Sequence, residues 1–271
     1  VNDIERLEKV LTEKYEFESA HIKKLVNQQV TKQHIFDTLE SYRNLTEDDN
    51  LIIWFSGHGT YDKVINTGYW VMQDSLQNRA YYLSTRDLQT ELNAISGVHH
   101  ILLLIDSCFG QAMMPLNTRS DSYATKLYNM KSRWAFASGR LTEVNDGNPE
   151  DGNSPFANTF IQQLEEGGEI QNIVSLAEKV SQRVESFTRY EHSPQHPVYS
   201  PLGGRYDEGG QFVFFPKILA FKEKAPVQLF TPISSPKKEV LNQKKPLQIP
   251  EMVLVEGGTF IMGATAEQGD N

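Results

Sequence analysis

Two uninterrupted apolar runs, 51–55 and 101–105, are the clearest feature of the hydrophobic pattern along the chain. Short continuous runs rich in branched aliphatic side chains are typical of parallel strands that are buried on both faces. Each run ends abruptly in a polar, glycine-containing segment, at 56–59 and at 106–110. We therefore predict two buried strands, each followed by a tight turn at its carboxyl end.

The rest of the pattern alternates between helical and strand-like spacing. Apolar residues at helical spacing follow capping residues, which predicts helices that begin at Asn2 or Asp3, Thr31, Ser84, Ser154 and Asn172. Further strands are predicted at 17–26, 69–72, 134–138 and 211–215. Strands that alternate with helices favour an α/β fold with a mostly parallel central sheet and helices on both faces.

The pattern changes after residue 215. Residues 216–250 hold six of the 12 prolines, and seven lysines against two glutamates, which predicts a stiff, basic linker. Apolar order returns at 252–263, where we predict a strand, a Gly-Gly turn and a second strand. We therefore divide the chain into a domain at 1–215, a linker at 216–250 and the beginning of another domain at 251–271. We expect both ends of the chain to be truncated.

Composition and charge narrow the range of functions. The chain is 39% hydrophobic and 23% charged, which is ordinary for a globular protein. It has no apolar stretch of roughly 18 residues, so we predict no membrane partner. The net charge of −9 disfavours nucleic acid as a partner and suits a basic peptide. We expect a cytoplasmic location, with a signal peptide left open by the truncated N-terminus.

Candidate chemistry lies at the carboxyl ends of the two buried strands. His58 follows the first strand, and Cys108, the single cysteine, follows the second. A thiolate is a strong nucleophile, and an imidazole beside it can accept the thiol proton and later protonate a leaving amine. We predict a Cys-His dyad, with the backbone N–H groups of Gly59 and Cys108 as the oxyanion hole. Taken separately, a buried structural cysteine and a simple turn remain the alternatives.

These two segments resemble the histidine and cysteine motifs of caspase-like (clan CD, family C14) cysteine peptidases, in particular of bacterial metacaspases or orthocaspases. The motifs are Phe55-Ser56-Gly57-His58-Gly59 and Asp106-Ser107-Cys108-Phe109-Gly110. The resemblance covers about residues 1–215 and implies a caspase-like three-layer sandwich. It also implies that the family's first strand, which precedes the first helix, is missing from this chain.

The segment before the cysteine departs from true caspases, which bind a P1 aspartate with arginines. Asp106 stands two residues before Cys108, where a carboxylate would repel aspartate and attract arginine or lysine. The resemblance to metacaspases implies an S1 pocket formed by Asp106, Ser56 and Asp3, although Asp3 can equally be a helix cap. An acidic loop at 142–153 lies where the family places a groove-lining loop.

Together these features predict a cysteine endopeptidase that cleaves after Arg or Lys in bacterial regulation, defence or cell death. The resemblance implies a zymogen that cuts itself in a basic connection, with four candidate sites: Arg119, Lys126, Lys131 and Arg133. We expect no cofactor or metal; calcium activation stays open, since no EF-hand loop is present. The alternatives are a catalytically silent interaction module and a protease that cleaves only its own lysine-rich linker.

The C-terminal segment 252–263 resembles the opening of a formylglycine-generating-enzyme-type (sulfatase-modifying factor) domain. About twenty residues of it are present, so none of that family's catalytic positions can be assigned. The resemblance implies a recognition domain that binds a ligand or partner.

Overall fold

The structure, a computed structural model, describes residues 2–75, 78–108, 110, 127–139, 154–190 and 194–217. The helices are α1 (Asn2–Lys14), α2 (Lys32–Ser41), α3 (Thr85–Ala94), α4 (Pro155–Glu166) and α5 (Ile173–Thr188). The strands are β1 (Asn50–Ser56), β2 (Gly59–Asp62), β3 (Thr67–Trp70), β4 (Leu83–Ser84), β5 (His100–Asp106), β6 (Ser132–Ala137), β7 (Gln171–Asn172), β8 (Val198–Pro201) and β9 (Val213–Phe214). These residues all lie in one structural unit, Val1–Pro226.

The central sheet of the described residues has the strand order β1-β5-β6-β8. β1, β5 and β6 run parallel, and β8 runs antiparallel to β6 at the edge. Every residue of β5 and of β6 is buried, because helices cover both faces of the sheet. The mostly parallel α/β fold class is therefore confirmed.

Alternate residues of β5 enter two separate cores. Leu102 and Leu104 face α1, α4 and α5, where they pack with Phe156 and Phe160. Leu103 and its odd-numbered neighbours face α2 and α3 on the opposite side. Side chains of a strand alternate between faces, so each residue's position in β5 fixes the layer it enters.

A small antiparallel sheet, β2-β3-β4, follows β1 in the chain. β2 begins at Gly59, directly after His58, and pairs with β3 so that Gly59 lies opposite Trp70. Trp70 in turn stacks on Phe55 of β1, with ring centroids 3.9 Å apart. The segment that carries His58 is therefore held between two sheets.

The predicted helix caps agree with the structure at the four starts where a capping side chain is described. The caps accept backbone N–H groups of His34, Asp87, Ala157 and Ser175, and they are Thr31, Ser84, Ser154 and Asn172. Proline at the first position of α4 adds to this signal, because its fixed backbone angle suits a helix start. None of the described helices has the length and apolar character needed to span a membrane.

Several predicted elements are wrong. The segment 17–26 forms no strand; it is an irregular chain with a short 3₁₀ turn at Ser19–His21, because its side chains, apart from Phe17, contribute little to the core. The strand predicted at 211–215 shortens to β9, and β8 was missed. Phe187 continues the apolar helical spacing that follows Asn172, which predicts a place on the core face of α5, but it is 62% exposed. The linker after residue 217, the segment 252–263 and the acidic loop 142–153 lie outside the described residues.

His100 is a buried histidine at the amino end of β5, far along the strand from Asp106. Its ring is 1% exposed, packs beside His99 and Tyr128, and has Nδ1 2.7 Å from the Ser132 hydroxyl. Burial lowers the pKa of His100 to about 3, and the neighbouring charges of His99 and Arg133 act in the same direction. His100 is therefore neutral in the folded protein across the physiological range.

This burial predicts loss of stability in acid. The unfolded chain binds a proton at His100 below its ordinary pKa of about 6.5, whereas the folded chain does not until about pH 3. The free energy of unfolding should therefore fall as pH drops from about 6.5 towards 3, by up to ~1.4 kcal/mol per pH unit from this residue. Denaturant titrations should show a flatter pH dependence for His100→Gln than for the unmodified protein. The exposed His21→Gln is the control, and equal slopes for all three proteins would contradict the assignment.

Candidate active site

The two predicted motifs leave the sheet side by side. β1 and β5 are parallel neighbours, and their register places Ser56 directly opposite Asp106. The ladder continues one residue further, where the Gly57 N–H donates to the Asp106 carbonyl at 3.2 Å. The turns that carry His58 and Cys108 therefore start from the same level at the carboxyl edge of the sheet, where open α/β sheets bind their ligands.

Gly59 brings the histidine segment into contact with the cysteine segment. A Cβ atom at Gly59 would lie 2.1 Å from the Cys108 carbonyl oxygen and 3.2 Å from the Ser107 Oγ. Only glycine allows the backbone to approach this closely. The structure thus places Gly59 against the residue that the sequence paired with it in the candidate oxyanion hole.

Both loops are held from their outer sides as well. The Val71 N–H donates to the His58 carbonyl at 2.9 Å, which ties the histidine segment to the small sheet. On the other side Gly110 lies against β6, since a Cβ there would be 2.7 Å from the Cβ of Ala137. His58 is exposed and Cys108 is partly exposed, so solvent and a substrate can reach this edge.

Asp106 is a buried acid at this edge. Its side chain lies on the α1/α4/α5 side of the sheet, where it is 6% exposed and Oδ2 accepts a hydrogen bond from the Ser154 hydroxyl at 2.5 Å. A buried carboxylate needs such partners, because loss of hydration penalises its charge. Sequence reasoning identified Ser154 only as a helix cap, although the Ser154-Pro155 signal marked where α4 starts.

Asp3 lies in the first turn of α1 and is 8% exposed. One turn later, Arg6 donates to Asn158 at 2.6 Å and forms a paired contact with Glu165. The Arg6 guanidinium lowers the pKa of the Glu165 carboxyl through this hydrogen bond. Asn158 in turn is one turn beyond Ser154, to whose carbonyl its N–H is bonded.

The link through Arg6 fixes the relative position of the two helices. The Tyr15 hydroxyl also donates to the Leu164 carbonyl at 3.0 Å, which joins the carboxyl ends of α1 and α4. The two helices therefore run in the same direction, and Asp3 is at the end of the helical layer where Ser154 contacts Asp106. The predicted S1 residues Asp3, Ser56 and Asp106 are thus brought to one edge of the domain by three different elements. Ser56 is the exposed member of this set.

Residues 1–202 match the family model of the caspase domain. The chain belongs to the caspase domain family. Among solved structures it is similar to protein GSU0716 from Geobacter sulfurreducens, with 17% identity, a TM-score of 0.54, and coverage of 78% of this chain and 86% of that chain. It is also similar to caspase-1 from Spodoptera frugiperda, with 17% identity, a TM-score of 0.50, and coverage of 77% and 80%. No curated protein matches the chain.

These findings confirm the caspase-like fold that the motifs predicted. A caspase domain has the fold of a cysteine peptidase, a class that acts on protein substrates. In the described part of this domain, no group of three or more His, Cys, Asp or Glu side chains could hold a metal ion.

The structure excludes one predicted self-cleavage position. Arg133 is 4% exposed within β6, where its guanidinium donates to the carbonyls of His99, Ser132 and Val98. A peptidase needs an extended, accessible segment, so Arg133 is a structural residue of this caspase domain rather than a cleavage site.

Lys131 is a poor self-cleavage site for a related reason. Its backbone N–H donates to Glu208, its Nζ donates to the Gly97 carbonyl, and the bond that follows it leads into the buried start of β6. The other two predicted sites, Arg119 and Lys126, lie outside the described residues.

The close contact at Gly59 gives a direct test of the joined loops. Gly59→Ala should lower the free energy of unfolding by about 1–3 kcal/mol, because the new methyl group meets a backbone carbonyl that cannot rotate away. Gly168→Ala is the matched control, since a Cβ there meets nothing within 4 Å. Chemical denaturation of both variants measures the difference, and equal stabilities would contradict the close approach of the two loops.

Proposed function

We propose that this caspase domain is a cysteine endopeptidase that cleaves peptide bonds after Arg or Lys. The observation that carries the proposal is the register of β1 and β5, which starts the His58 and Cys108 turns from paired residues and packs Gly59 against Cys108. A nucleophile and a base on adjoining loops form the arrangement that covalent catalysis requires.

The reaction follows from the chemistry of the two side chains. The Cys108 thiolate attacks the carbonyl carbon of the scissile bond, and the carbonyl oxygen becomes an oxyanion that accepts hydrogen bonds from the Gly59 and Cys108 N–H groups. The His58 imidazolium protonates the leaving amine as the C–N bond breaks, which leaves a thioester on Cys108. A water molecule, deprotonated by His58, then hydrolyses the thioester and restores the free thiol.

The acidic residues at the same edge support a preference for a cationic P1 side chain. Asp106 and Asp3 are both largely buried, and Asp106 already receives a hydrogen bond from a hydroxyl donor. A guanidinium or ammonium group from a substrate would neutralise a carboxylate that is costly to bury alone, whereas a P1 aspartate would add a second negative charge. Ser56 supplies a further polar contact beside Asp106.

The peptidase proposal predicts a clear substrate profile. Full-length protein should hydrolyse fluorogenic peptides with Arg or Lys at P1 and leave matched peptides with Asp at P1 intact. Cys108→Ala should lower this activity by at least about 1,000-fold while the melting temperature stays close to that of the unmodified protein, because it removes the nucleophile and few contacts. Preferential cleavage after Asp, or activity that survives in Cys108→Ala, would overturn the proposal. Absence of any cleavage would favour the alternative of a silent interaction module.

Asp106→Asn tests the pocket separately from the dyad. The substitution keeps the shape of the side chain and removes its charge, so kcat/KM for Arg peptides should fall by about tenfold to a hundredfold. The rate at which iodoacetamide alkylates Cys108 should stay within about twofold, since that small neutral reagent needs no P1 pocket. Unchanged selectivity for Arg over neutral P1 residues in a folded Asp106→Asn protein would assign the pocket to other residues.

Finer features of the function rest on the sequence resemblance. We propose a metacaspase-like zymogen of a bacterial regulatory, defence or cell-death system, located in the cytoplasm, with self-cleavage at Arg119, at Lys126 or in the linker. The segment 251–271 is proposed to open a formylglycine-generating-enzyme-like recognition domain. Calcium activation is a further open proposal, and calcium titration of the peptidase assay tests it.

A further inference from the structure

Ser154 makes two hydrogen bonds in which its hydroxyl has opposite roles. Its Oγ accepts the Ala157 N–H at 2.9 Å, which is the capping bond of α4. The same Oγ donates to the Asp106 Oδ2 at 2.5 Å. Since the helix occupies a lone pair of the hydroxyl, the hydroxyl proton is directed towards the carboxylate.

The start of α4 is a rigid base for this contact. Pro155 fixes the backbone at the first helical position, and the next residue, Phe156, is fully buried. The Phe156 ring packs edge-on against Phe136 of the central sheet, with centroids 4.8 Å apart. Ser154 and Asp106 are themselves 7% and 6% exposed, so water competes little for their hydrogen bond.

We propose that Ser154 is a positioning residue for the P1 pocket, which holds the Asp106 carboxylate in the orientation that receives a cationic side chain. This inference rests on the proposed function and adds to it a residue on a separate element. A carboxylate can accept about four hydrogen bonds, so the Ser154 hydroxyl leaves capacity for a guanidinium. The amino terminus of α4 carries a partial positive charge, which attracts the negative charge of the Asp106 carboxylate beside it.

The expected effect of losing this contact is weaker binding of basic groups rather than slower chemistry. Without the hydroxyl donor, Asp106 would populate other rotamers, and part of the substrate's binding free energy would be spent on ordering it. An interaction of this kind is typically worth about a tenfold change in affinity. The His58 and Cys108 side chains, on the turns that follow β1 and β5, are not part of the capping contact and should keep their reactivity.

Three variants of the full-length protein separate positioning from helix capping. Ser154→Gly removes the hydroxyl but keeps a residue that caps helices with a loss of only a few tenths of a kcal/mol. Ser154→Thr keeps the hydroxyl in both roles. Asn172→Gly is the control. The Asn172 side chain caps α5 by accepting the Ser175 N–H at 2.9 Å, so this variant loses a helix cap in the same way but leaves the Ser154 contact with Asp106 in place.

Two measurements read the pocket. The first is kcat and KM for Arg peptides, where Ser154→Gly should raise KM about tenfold with kcat changed by less than about threefold, and Ser154→Thr should restore KM. The second needs no turnover: agmatine, a mimic of the arginine side chain, should protect Cys108 from iodoacetamide. Ser154→Gly should need about tenfold more agmatine for half-protection, and Asn172→Gly should behave like the unmodified protein.

The outcomes distinguish this inference from the proposed function. If the unmodified protein cleaves after Arg and Ser154→Gly matches Asn172→Gly in KM and in agmatine protection, the positioning role is wrong and the peptidase proposal stands. A fall in kcat alone for Ser154→Gly would likewise overturn the positioning role. If the unmodified protein cleaves no basic peptide, the proposed function fails, and the agmatine experiment alone then tests the positioning role of Ser154. That role is wrong if agmatine does not protect Cys108, or if it protects Cys108 equally in all variants.

Discussion

The parallel register of β1 and β5 is the constraint on which the site depends. Ser56 lies opposite Asp106, so the histidine and cysteine turns begin at the same level of the sheet. A shift of one residue would turn the side chains of β1 to the opposite face and move Ser56 away from Asp106. The apolar runs fix this register, because Phe55 and Ile105 must enter one core while Trp54 and Leu104 face the other.

The helical layer adds a second set of fixed points to that register. Arg6 joins the second turn of α1 to α4, and Ser154 joins the start of α4 to Asp106 on β5. The acidic residues of the proposed pocket therefore come from elements that are distant in the chain and are connected by hydrogen bonds. This arrangement lets the domain bury the Asp106 carboxylate near a surface edge, since its partner Ser154 is itself buried at the start of α4.

Sequence reasoning predicted the elements whose signal is local. The strands 51–55 and 101–105 are longer by one residue at each end in the structure, and the capping side chains at Thr31, Ser84, Ser154 and Asn172 are found as predicted. Strand β8 was missed because it has only four residues and ends in proline, so its local signal is weak. Its pairing with β6 is a non-local contact that a local pattern does not show. The contact of Ser154 with Asp106 was missed for the same reason: the cap is a local pattern, whereas its second partner is set by how α4 packs on the sheet.

The two ends of the buried strands handle polar groups in different ways. At the amino ends, burial keeps His100 neutral. Arg133 donates to the carbonyls of Val98 and His99, so it stabilises the segment that leads into β5. At the carboxyl ends, Ser154 holds Asp106 beside the turns that carry His58 and Cys108, so the polar groups gather at the edge that we propose binds substrate. Substitutions at Arg133 and at Asp106 should therefore differ in kind. The first leaves several carbonyls without a donor and acts on folding, while the second changes the charge that a bound peptide would meet.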